Sequence, residues 1–265
     1  RFFCQEELRL NRRFAPDLYQ EVIPVAGSGE WAVCMRRFAE AQRLDHVCAR
    51  GALSWERVAE LAAVIAGFQA AAPVAGAEVA FGDPDRVRAP MIENFTELIP
   101  LLPEAGPRLA ALQGWTVREF ARRRPALAAR KAAGFVREGH GDLHLGNLAL
   151  IDGRVTPFDC IEFNAELRWI DVASELAFTY VDLLDHGRAD LAAWLVHEWL
   201  QRTGDYSAGA VLRLYAVYRA LVRAKVAALR GDAEEAGDYL AMAAGLAQPP
   251  PPGLVITHGL SASGK

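Results

Sequence analysis

Apolar side chains recur along most of this chain at the spacing of helices that bury one face. After Ser54, a residue type common at helix N-caps, Val58, Leu61 and Ile65 share one face of a helix predicted over 54–70. The same period predicts a long helical region over 107–131, broken before Pro125, and helices over 166–185, 188–203, 207–230 and 232–247. The chain beyond residue 54 is therefore predicted to be mostly helical.

The first fifty residues show shorter and more varied patterns. Residues 1–14 have the charge and the apolar spacing of a helix. Two β-rich runs follow, over 21–25 and 31–38, and a glycine-rich turn separates them. We expect these runs to form a hairpin next to the first helix.

The polar residues best suited to catalysis begin with His140-Gly141-Asp142, and Asn147 follows Asp142 by five residues. Phosphoryl transfer from ATP needs positioning and charge neutralisation, so one carboxylate must face the acceptor hydroxyl while an amide oxygen holds magnesium. Asp142 suits the first role and Asn147 the second. The other interpretation is that both residues only form turns, but a turn needs neither the preceding His-Gly nor a second Asp further along.

That second Asp follows a predicted hairpin. Two short apolar runs, 148–151 and 154–158, flank an Asp-Gly dipeptide at 152–153, which is typical of a type I′ turn. A hairpin returns the chain on itself and brings Asp159 beside Asn147. Two metal-binding side chains and one base are therefore expected to converge.

The motif His-Gly-Asp-x4-Asn followed by an Asp resembles that of the aminoglycoside phosphotransferase family of kinase-like enzymes. The resemblance implies that Asp142 is the catalytic base and that Asn147 and Asp159 coordinate magnesium. It implies that His140 keeps the catalytic loop in shape and that Asp171 ties the loop down through hydrogen bonds. An acid in the first turn of a helix is the other interpretation of Asp171.

The resemblance extends over roughly residues 1–247 and implies an α+β, protein-kinase-like fold of two lobes, the C-terminal one mostly helical. The first helix would offer Glu6 or Glu7 to an ATP-binding Lys, and the sequence leaves that choice open. Backbone groups from Met35 to Phe38 would meet the adenine, although an ordinary edge strand explains these residues equally well. The sequence contains neither the glycine-rich loop nor the Lys strand expected before this helix, so a truncated N-terminal lobe is predicted.

A different unit is predicted at the C-terminal end. Residues 248–253 are proline-rich, which ends helical structure and favours a stiff linker. Over 254–265 a β run leads into Gly-x4-Gly-Lys, the pattern of a loop that cradles phosphate. Its predicted phosphate-binding residues are Gly259, Ser261, Ser263, Gly264 and Lys265. The alternative is a flexible Gly/Ser terminus.

This arrangement looks like that of bacterial proteins in which an aminoglycoside phosphotransferase-like domain is fused to a P-loop kinase. Residues 1–247 would be the kinase-like domain, 248–253 the linker, and 254–265 the first strand and loop of an α/β P-loop domain. The covalently linked P-loop domain is thus an expected partner. Because its remaining elements are not in the sequence, a fragment of a two-domain protein is predicted.

Composition narrows the partners. The chain has 265 residues, is 52% hydrophobic and carries a formal charge of −4. This balance gives no electrostatic reason to expect nucleic acid or anionic membrane as a partner. The four cysteines have neither metal-site nor disulfide spacing, and no apolar run or signal peptide indicates a membrane. A cytoplasmic protein with reduced thiols is expected.

The predicted function is transfer of the γ-phosphoryl of ATP, with Mg²⁺, to a hydroxyl of a small molecule. The alternative is a catalytically weak, nucleotide-binding pseudokinase that regulates the attached P-loop domain. The sequence does not indicate the acceptor. Acidic side chains that would suit a cationic antibiotic are equally plausible as exposed helix charges, and these are Glu162, Glu166, Glu175 and Asp182. The cluster 122–124 of three arginines is expected to be a solvated helix face rather than an anion site.

Overall fold

In the computed structural model, which describes residues 1–248, short antiparallel strands separate long helices. Among these residues there are ten α-helices and six strands. The helices are α1 (Phe2–Asn11), α2 (Leu44–Ala49), α3 (Trp55–Ala71), α4 (Pro84–Leu101), α5 (Gly106–Ala132), α6 (Ala165–Arg168), α7 (Val172–Asp185), α8 (Ala189–Thr203), α9 (Leu212–Leu229) and α10 (Ala233–Ala247). The strands are β1 (Tyr19–Pro24), β2 (Trp31–Met35), β3 (Val136–Glu138), β4 (Leu148–Ile151), β5 (Arg154–Pro157) and β6 (Trp169–Asp171).

The N-terminal part consists of α1 and the β1–β2 hairpin, as the sequence predicted. The strands pair antiparallel from Tyr19 opposite Met35 to Pro24 opposite Trp31. A small cluster centred on the buried Leu18 and Tyr19 packs with side chains of α1 and β2. This cluster is separate from the main core, so the N-terminal part is a small lobe of its own.

The predicted hairpin after the catalytic segment is also confirmed. Strands β4 and β5 pair from Leu148 opposite Pro157 to Ile151 opposite Arg154. The turn residue Asp152 has a φ of 50° and Gly153 a φ of 77°. Positive φ at both central residues defines a type I′ turn, which matches the twist of the flanking strands.

The main core lies where α3, α7, α8 and α9 pack against one another, and α10 covers the far side of α9. Ser54 caps α3 by accepting the backbone N–H of Arg57 at 3.4 Å. Leu61 and Ile65 of α3 and Trp199 of α8 are fully buried. The apolar faces predicted from helical spacing are therefore the faces that form this core.

The helices differ from the prediction in three places. Helix α5 continues through Pro125, because that residue and Ala121 are exposed and water can reach the carbonyl that the proline leaves without a donor. The region 166–185 is divided, since the short strand β6 precedes α7. Helix α4 was not predicted; it contains Pro90 and Pro100 and buries only a narrow stripe that includes Phe95.

Three further sequence predictions concern the cysteines, membrane-spanning helices and the C-terminal end. All four cysteines are free thiols. Within residues 1–248, no helix is both long and apolar enough to cross a bilayer. The predicted P-loop with Gly259, Ser261, Ser263, Gly264 and Lys265 lies outside the described residues, as does most of the predicted linker, so both stay predictions.

Candidate active site

The predicted catalytic loop connects β3 to β4, and one face of α7 holds its backbone in place. Glu175 accepts the N–H groups of His140 and, at 3.1 Å, of Gly141. Asp182 accepts the N–H of Leu145 at 2.7 Å. Thr179, which lies between these two acids on the helix, donates its hydroxyl to the carbonyl of Leu143 at 2.6 Å. These three polar side chains of α7 therefore fix the loop along its length.

The prediction that Asp171 ties down the loop is wrong. Its two carboxylate oxygens each accept a hydrogen bond from Arg130 at 2.8 Å, and one also caps α7 through the N–H of Ala173 at 2.9 Å. Both carboxylate oxygens of Asp171 are thus bound to Arg130 or to the first turn of α7. Glu175, one turn further along, is the residue that reaches the loop.

Two glycines make this approach possible. A Cβ placed on Gly139 would lie 2.4 Å from a carboxylate oxygen of Glu175. Gly141 has a φ of 91°, and a Cβ there would lie 2.8 Å from the carbonyl oxygen of Leu167. Any side chain at either position would displace the loop from its hydrogen-bond acceptors on α7.

His140 links the loop to the chain that follows β5. Its ring is fully buried, and Nε2 lies 2.8 Å from the carbonyl oxygen of Phe158. Burial lowers the pKa of His140 to about 4, so the ring is neutral near pH 7 and Nε2–H donates to that carbonyl. The backbone N–H of Phe158 in turn donates to the carbonyl of Asn147 at 3.0 Å. The structure thus gives His140 the contacts expected of a residue that shapes the loop.

Asp142 and Asn147 are in direct contact. The side-chain amide of Asn147 donates to the backbone carbonyl of Asp142 at 3.0 Å and to its carboxylate at 3.2 Å. Burial raises the pKa of Asp142, but the hydrogen bond from His144 and the neighbouring positive charges outweigh it, so the pKa lies below its ordinary value. The Asp142 side chain is 36% exposed. It is therefore an ionised carboxylate that a substrate hydroxyl can reach.

Asp159 adds a second carboxylate to this group. Its φ is 64°, a left-handed conformation that is uncommon for a residue other than glycine and that recurs at functional sites. Burial and then repulsion by Asp142 raise the pKa of Asp159. The carboxylate of Asp159 and the side-chain oxygen of Asn147, whose nitrogen makes the bonds to Asp142, are the hard oxygen donors that Mg²⁺ binds. The residues present therefore fit a divalent cation, which would also relieve the repulsion.

A cleft of about 340 Å³ opens beside these residues, next to the small N-terminal lobe. Its lining residues are Phe38, Glu40, Arg43, Gly146, Asn147, Phe158 and Asp159. The rings of Phe38 and Phe158 meet edge to face with centroids 5.2 Å apart. Met35, Phe38 and Phe158 all pack against the small cluster of the N-terminal lobe, but Met35 does not line the cleft. The structure thus brings Phe38 together with both predicted metal ligands and leaves Met35 out of the lining.

Helix α1 presents its two glutamates to different surroundings. Glu6 contacts Arg9 at 2.6 Å and Arg168 at 2.9 Å. The pKa of Glu7 is raised to about 7 by burial and by the charges of Glu162 and Asp159. Within residues 1–248, no cation lies within ion-pair distance of Glu7. The sequence left open whether Glu6 or Glu7 would meet an ATP-binding lysine. Among the described residues Glu6 is already paired with arginines and Glu7 is not, which favours Glu7.

Most of the charged residues considered for acceptor binding are engaged elsewhere. Glu175 and Asp182 are buried and hold the catalytic loop. In the arginine cluster, Arg122 and Arg123 pair with Glu119, and the third arginine pairs with an aspartate of α4. Glu175 and Asp182 are thus not exposed helix charges. The arginine cluster is the solvated helix face that we expected.

Comparison with known sequences finds relatives but no family model. No family model matches the chain. Uncharacterized proteins of Mycobacterium tuberculosis (Rv2004c) and Mycobacterium bovis (Mb2027c) are each 32% identical to it over 245 residues, which is 89% of this chain and 49% of theirs. The chain therefore spans about half the length of these curated relatives.

A solved structure with a similar fold is the GDP and kanamycin complex of APH(2")-IIia, an aminoglycoside phosphotransferase. The similarity covers 92% of this chain and 83% of that one, with a TM-score of 0.51 and 12% sequence identity. The matched part of the chain therefore has a kinase-like fold, and the sequence prediction of an α+β, kinase-like architecture is confirmed at that level.

Proposed function

We propose that this protein transfers the γ-phosphoryl group of ATP to a hydroxyl of a small molecule. The observation that supports this most strongly is the convergence of Asp142, Asn147 and Asp159 at one end of a cleft between the N-terminal lobe and the helices. The kinase-like fold is consistent with it. Neither the fold nor the relatives identify the acceptor, so kanamycin remains a ligand of the neighbour alone.

The three residues have distinct roles in the proposed reaction. Mg²⁺ bound by Asn147 and Asp159 would neutralise charge on the phosphates. Asp142 orients the acceptor hydroxyl and takes its proton as the hydroxyl oxygen bonds to the γ-phosphorus. The bond from the γ-phosphorus to the bridging oxygen breaks, and ADP leaves with that electron pair. Asn147 holds the Asp142 carboxylate in position through its amide.

The nucleotide would lie in the cleft beside Phe38. We assign Glu7, rather than Glu6, as the glutamate that would pair with the ATP-binding lysine, because Glu7 has a raised pKa of about 7 and no paired cation within the described residues. In kinase-like enzymes such a glutamate pairs with an ATP-binding lysine. The covalently linked P-loop domain remains part of the proposal for the whole protein, as does its cytoplasmic location.

The test is transfer of labelled γ-phosphate into a bacterial metabolite extract by the full-length protein. Lys265→Ala is introduced first, so that the predicted P-loop does not contribute label. Asp142→Asn should lower labelling by about 10²- to 10⁴-fold, the usual effect of losing a general base. Asp152→Asn in the exposed hairpin turn makes the same chemical change away from the cleft and should leave labelling unchanged.

The opposite outcome would support the regulatory alternative. If Mg-ATP binds normally but no label depends on Asp142, the protein is a nucleotide-binding pseudokinase and the proposed phosphotransferase activity is wrong. Binding of Mg-ATP is measured separately by calorimetry, so that loss of folding in the Asp142→Asn variant is not mistaken for loss of catalysis.

A further inference from the structure

A second cleft, which shares no lining residue with the nucleotide cleft, borders the segment that packs on the catalytic loop. It is partly enclosed, has a volume of about 50 Å³, and is formed by α4, the segment 166–171 and α9. Leu167 belongs to its lining, and the carbonyl of that residue packs directly against Gly141, the neighbour of Asp142. A molecule in this cleft would therefore lie next to the catalytic loop, where an acceptor hydroxyl is required.

The cleft contains a buried arginine in an unusual state. Arg219 of α9 is only 4% exposed. Its Nε donates to the carbonyl of Ser174 at 3.1 Å, and Nη2 donates to the Ser174 hydroxyl at 3.0 Å. The guanidinium also lies 3.9 Å from the centroid of the Phe178 ring. Within residues 1–248 its Nη1 makes no hydrogen bond and no carboxylate lies within ion-pair distance.

The other buried arginines of the described chain have the carboxylate partners that Arg219 lacks. Arg130 is paired with two buried aspartates at 2.7–2.8 Å. Arg168 is paired with Glu6 at 2.9 Å and Glu138 at 3.2 Å. An unpaired buried charge is costly, and contact with an aromatic ring offsets only part of that cost. The negative charges of Asp142 and Glu175 act on Arg219, but within the described residues neither carboxylate lies within ion-pair distance, so Nη1 of Arg219 can still accept an anion as a partner.

Carboxylates that line the same cleft do not fill this capacity. Asp171 accepts two hydrogen bonds from Arg130 and caps α7, and its side chain is 3% exposed. Glu166 lies at the rim, where Arg86 contacts it at 3.2 Å. Asp171 and Glu166 are thus engaged by Arg130 and Arg86, and within the described residues Arg219 is the charged side chain of this lining that has no ion-pair partner.

We propose that this cleft binds the acceptor and that Arg219 binds an anionic group on it, so that the substrate is a small hydroxyl compound with a carboxylate or a phosphate. This inference rests on the proposed function. A guanidinium forms paired hydrogen bonds with both of these groups. A carboxylate or phosphate arm is small enough to enter this cleft. Met91 and Trp169 in the lining supply apolar contacts for the carbon part of the acceptor.

The first test identifies the acceptor. The full-length protein with Lys265→Ala labels a bacterial metabolite extract, and the products that disappear with Asp142→Asn are identified by mass spectrometry. We expect the acceptor to contain a carboxylate or a phosphate, and the product shows which of the two it is. An acceptor that has neither group, or that is a polycation, would overturn the proposal.

The second test measures the role of Arg219 with the identified acceptor. Arg219→Gln should raise KM for that acceptor at least 30-fold with a smaller change in kcat. Arg213→Gln, on the same helix but outside this cleft, is the matched control and should change KM less than threefold. A neutral amide or ester of the acceptor should bind the wild-type protein more weakly than the acceptor itself does. Arg219→Gln should not weaken the binding of this neutral compound any further. This comparison within the wild-type protein stands even if Arg219→Gln does not fold.

A different pattern would assign Arg219 to another role. Burial raises the pKa of Asp142, and Arg219 is one of the charges that lower it. If Arg219→Gln lowers kcat equally for charged and neutral acceptors and leaves KM unchanged, the arginine only keeps Asp142 ionised and the proposal is wrong.

The failure of the proposed function has its own signature. In that case no product depends on Asp142, and the cleft is tested by calorimetry with glycerate, glycerol phosphate and glycerol as probes. Binding of either anion, but not of glycerol, that is lost in Arg219→Gln would support the anion site without catalysis. Absence of any anion binding under these conditions would overturn both proposals.

Discussion

At the scale of single residues, the catalytic loop depends on buried side chains, and burial disfavours their charged forms. His140 is the clearest case, because its ring is fully buried and donates to the carbonyl of Phe158. Glu175 is also fully buried, and burial raises its pKa even though two backbone N–H groups bind it. A change of charge on either residue would disturb the position of Asp142.

The burial of His140 predicts how stability depends on pH. Its pKa is about 4 in the folded protein and near 6.5 in the unfolded chain. Below pH 6.5 the unfolded state therefore binds a proton that the folded state does not, and stability falls as the pH falls. Between pH 7 and pH 5 this group should remove about 2 kcal/mol from the free energy of unfolding.

The measurement is urea unfolding of the wild-type protein and of His140→Asn at both pH values. Asparagine retains an amide donor but does not titrate in this range. The stability advantage of the wild type should shrink by about 2 kcal/mol at pH 5. His197→Asn, on the exposed face of α8, controls for the change of a histidine to asparagine. An advantage that stays constant with pH would mean that the buried ring accepts a proton as readily as an unfolded one.

At the scale of elements, the sequence predicted what local patterns encode. The β4–β5 hairpin followed from an Asp-Gly turn, and its closure explains why Asp159 is close to Asn147. The helices with broad apolar faces were also found. Helix α4 was missed because its prolines interrupt the period and its buried stripe is narrow. The loop acceptor Glu175 was missed because its importance arises from the packing of α7 on the loop, which no local pattern reveals.

Pro125 within α5 predicts a gain in stability on substitution. The residue lies in an exposed position of an otherwise continuous helix, where it removes one backbone hydrogen bond and crowds the preceding turn. Pro125→Ala should therefore raise the free energy of unfolding by about 1–3 kcal/mol. Pro107→Ala, at the first turn of the same helix, should change it little because a proline is tolerated there.

Urea unfolding of both variants tests this comparison. A loss of stability in Pro125→Ala would show that the helix needs a bend at this point to bury Phe120 and Leu127 together. The proline would then interrupt the regular helix geometry, as the sequence predicted, although the helix continues on both sides.

At the scale of the whole molecule, one buried arginine joins segments that are far apart in the chain. Arg130 near the end of α5 contacts Asp171 at the start of α7 and Asp205 in the turn after α8. The residues are separated by 41 and 75 positions. The sequence contains no local sign of such a network, and it was the family resemblance that assigned Asp171 to the catalytic loop. In the structure it anchors the beginning of the helix from which Glu175 reaches that loop.

This network predicts a large difference between two neighbouring basic residues. Arg130→Leu leaves two buried carboxylates without a cation and should lower the free energy of unfolding by about 3–5 kcal/mol. Lys131→Leu removes an ion pair with Asp83, whose side chain is half exposed, and should lower it by about 1 kcal/mol or less. Both values are measured by urea unfolding near pH 7.

The triple variant Arg130→Leu, Asp171→Asn, Asp205→Asn separates charge from packing. If the loss in Arg130→Leu comes from uncompensated buried charge, neutralising both aspartates should restore a large part of the stability. If Arg130→Leu and Lys131→Leu are equally mild, or if the triple variant is no more stable than Arg130→Leu, the three segments are held by apolar packing instead. The position of the catalytic loop would then depend on the core of α7 rather than on this charged network.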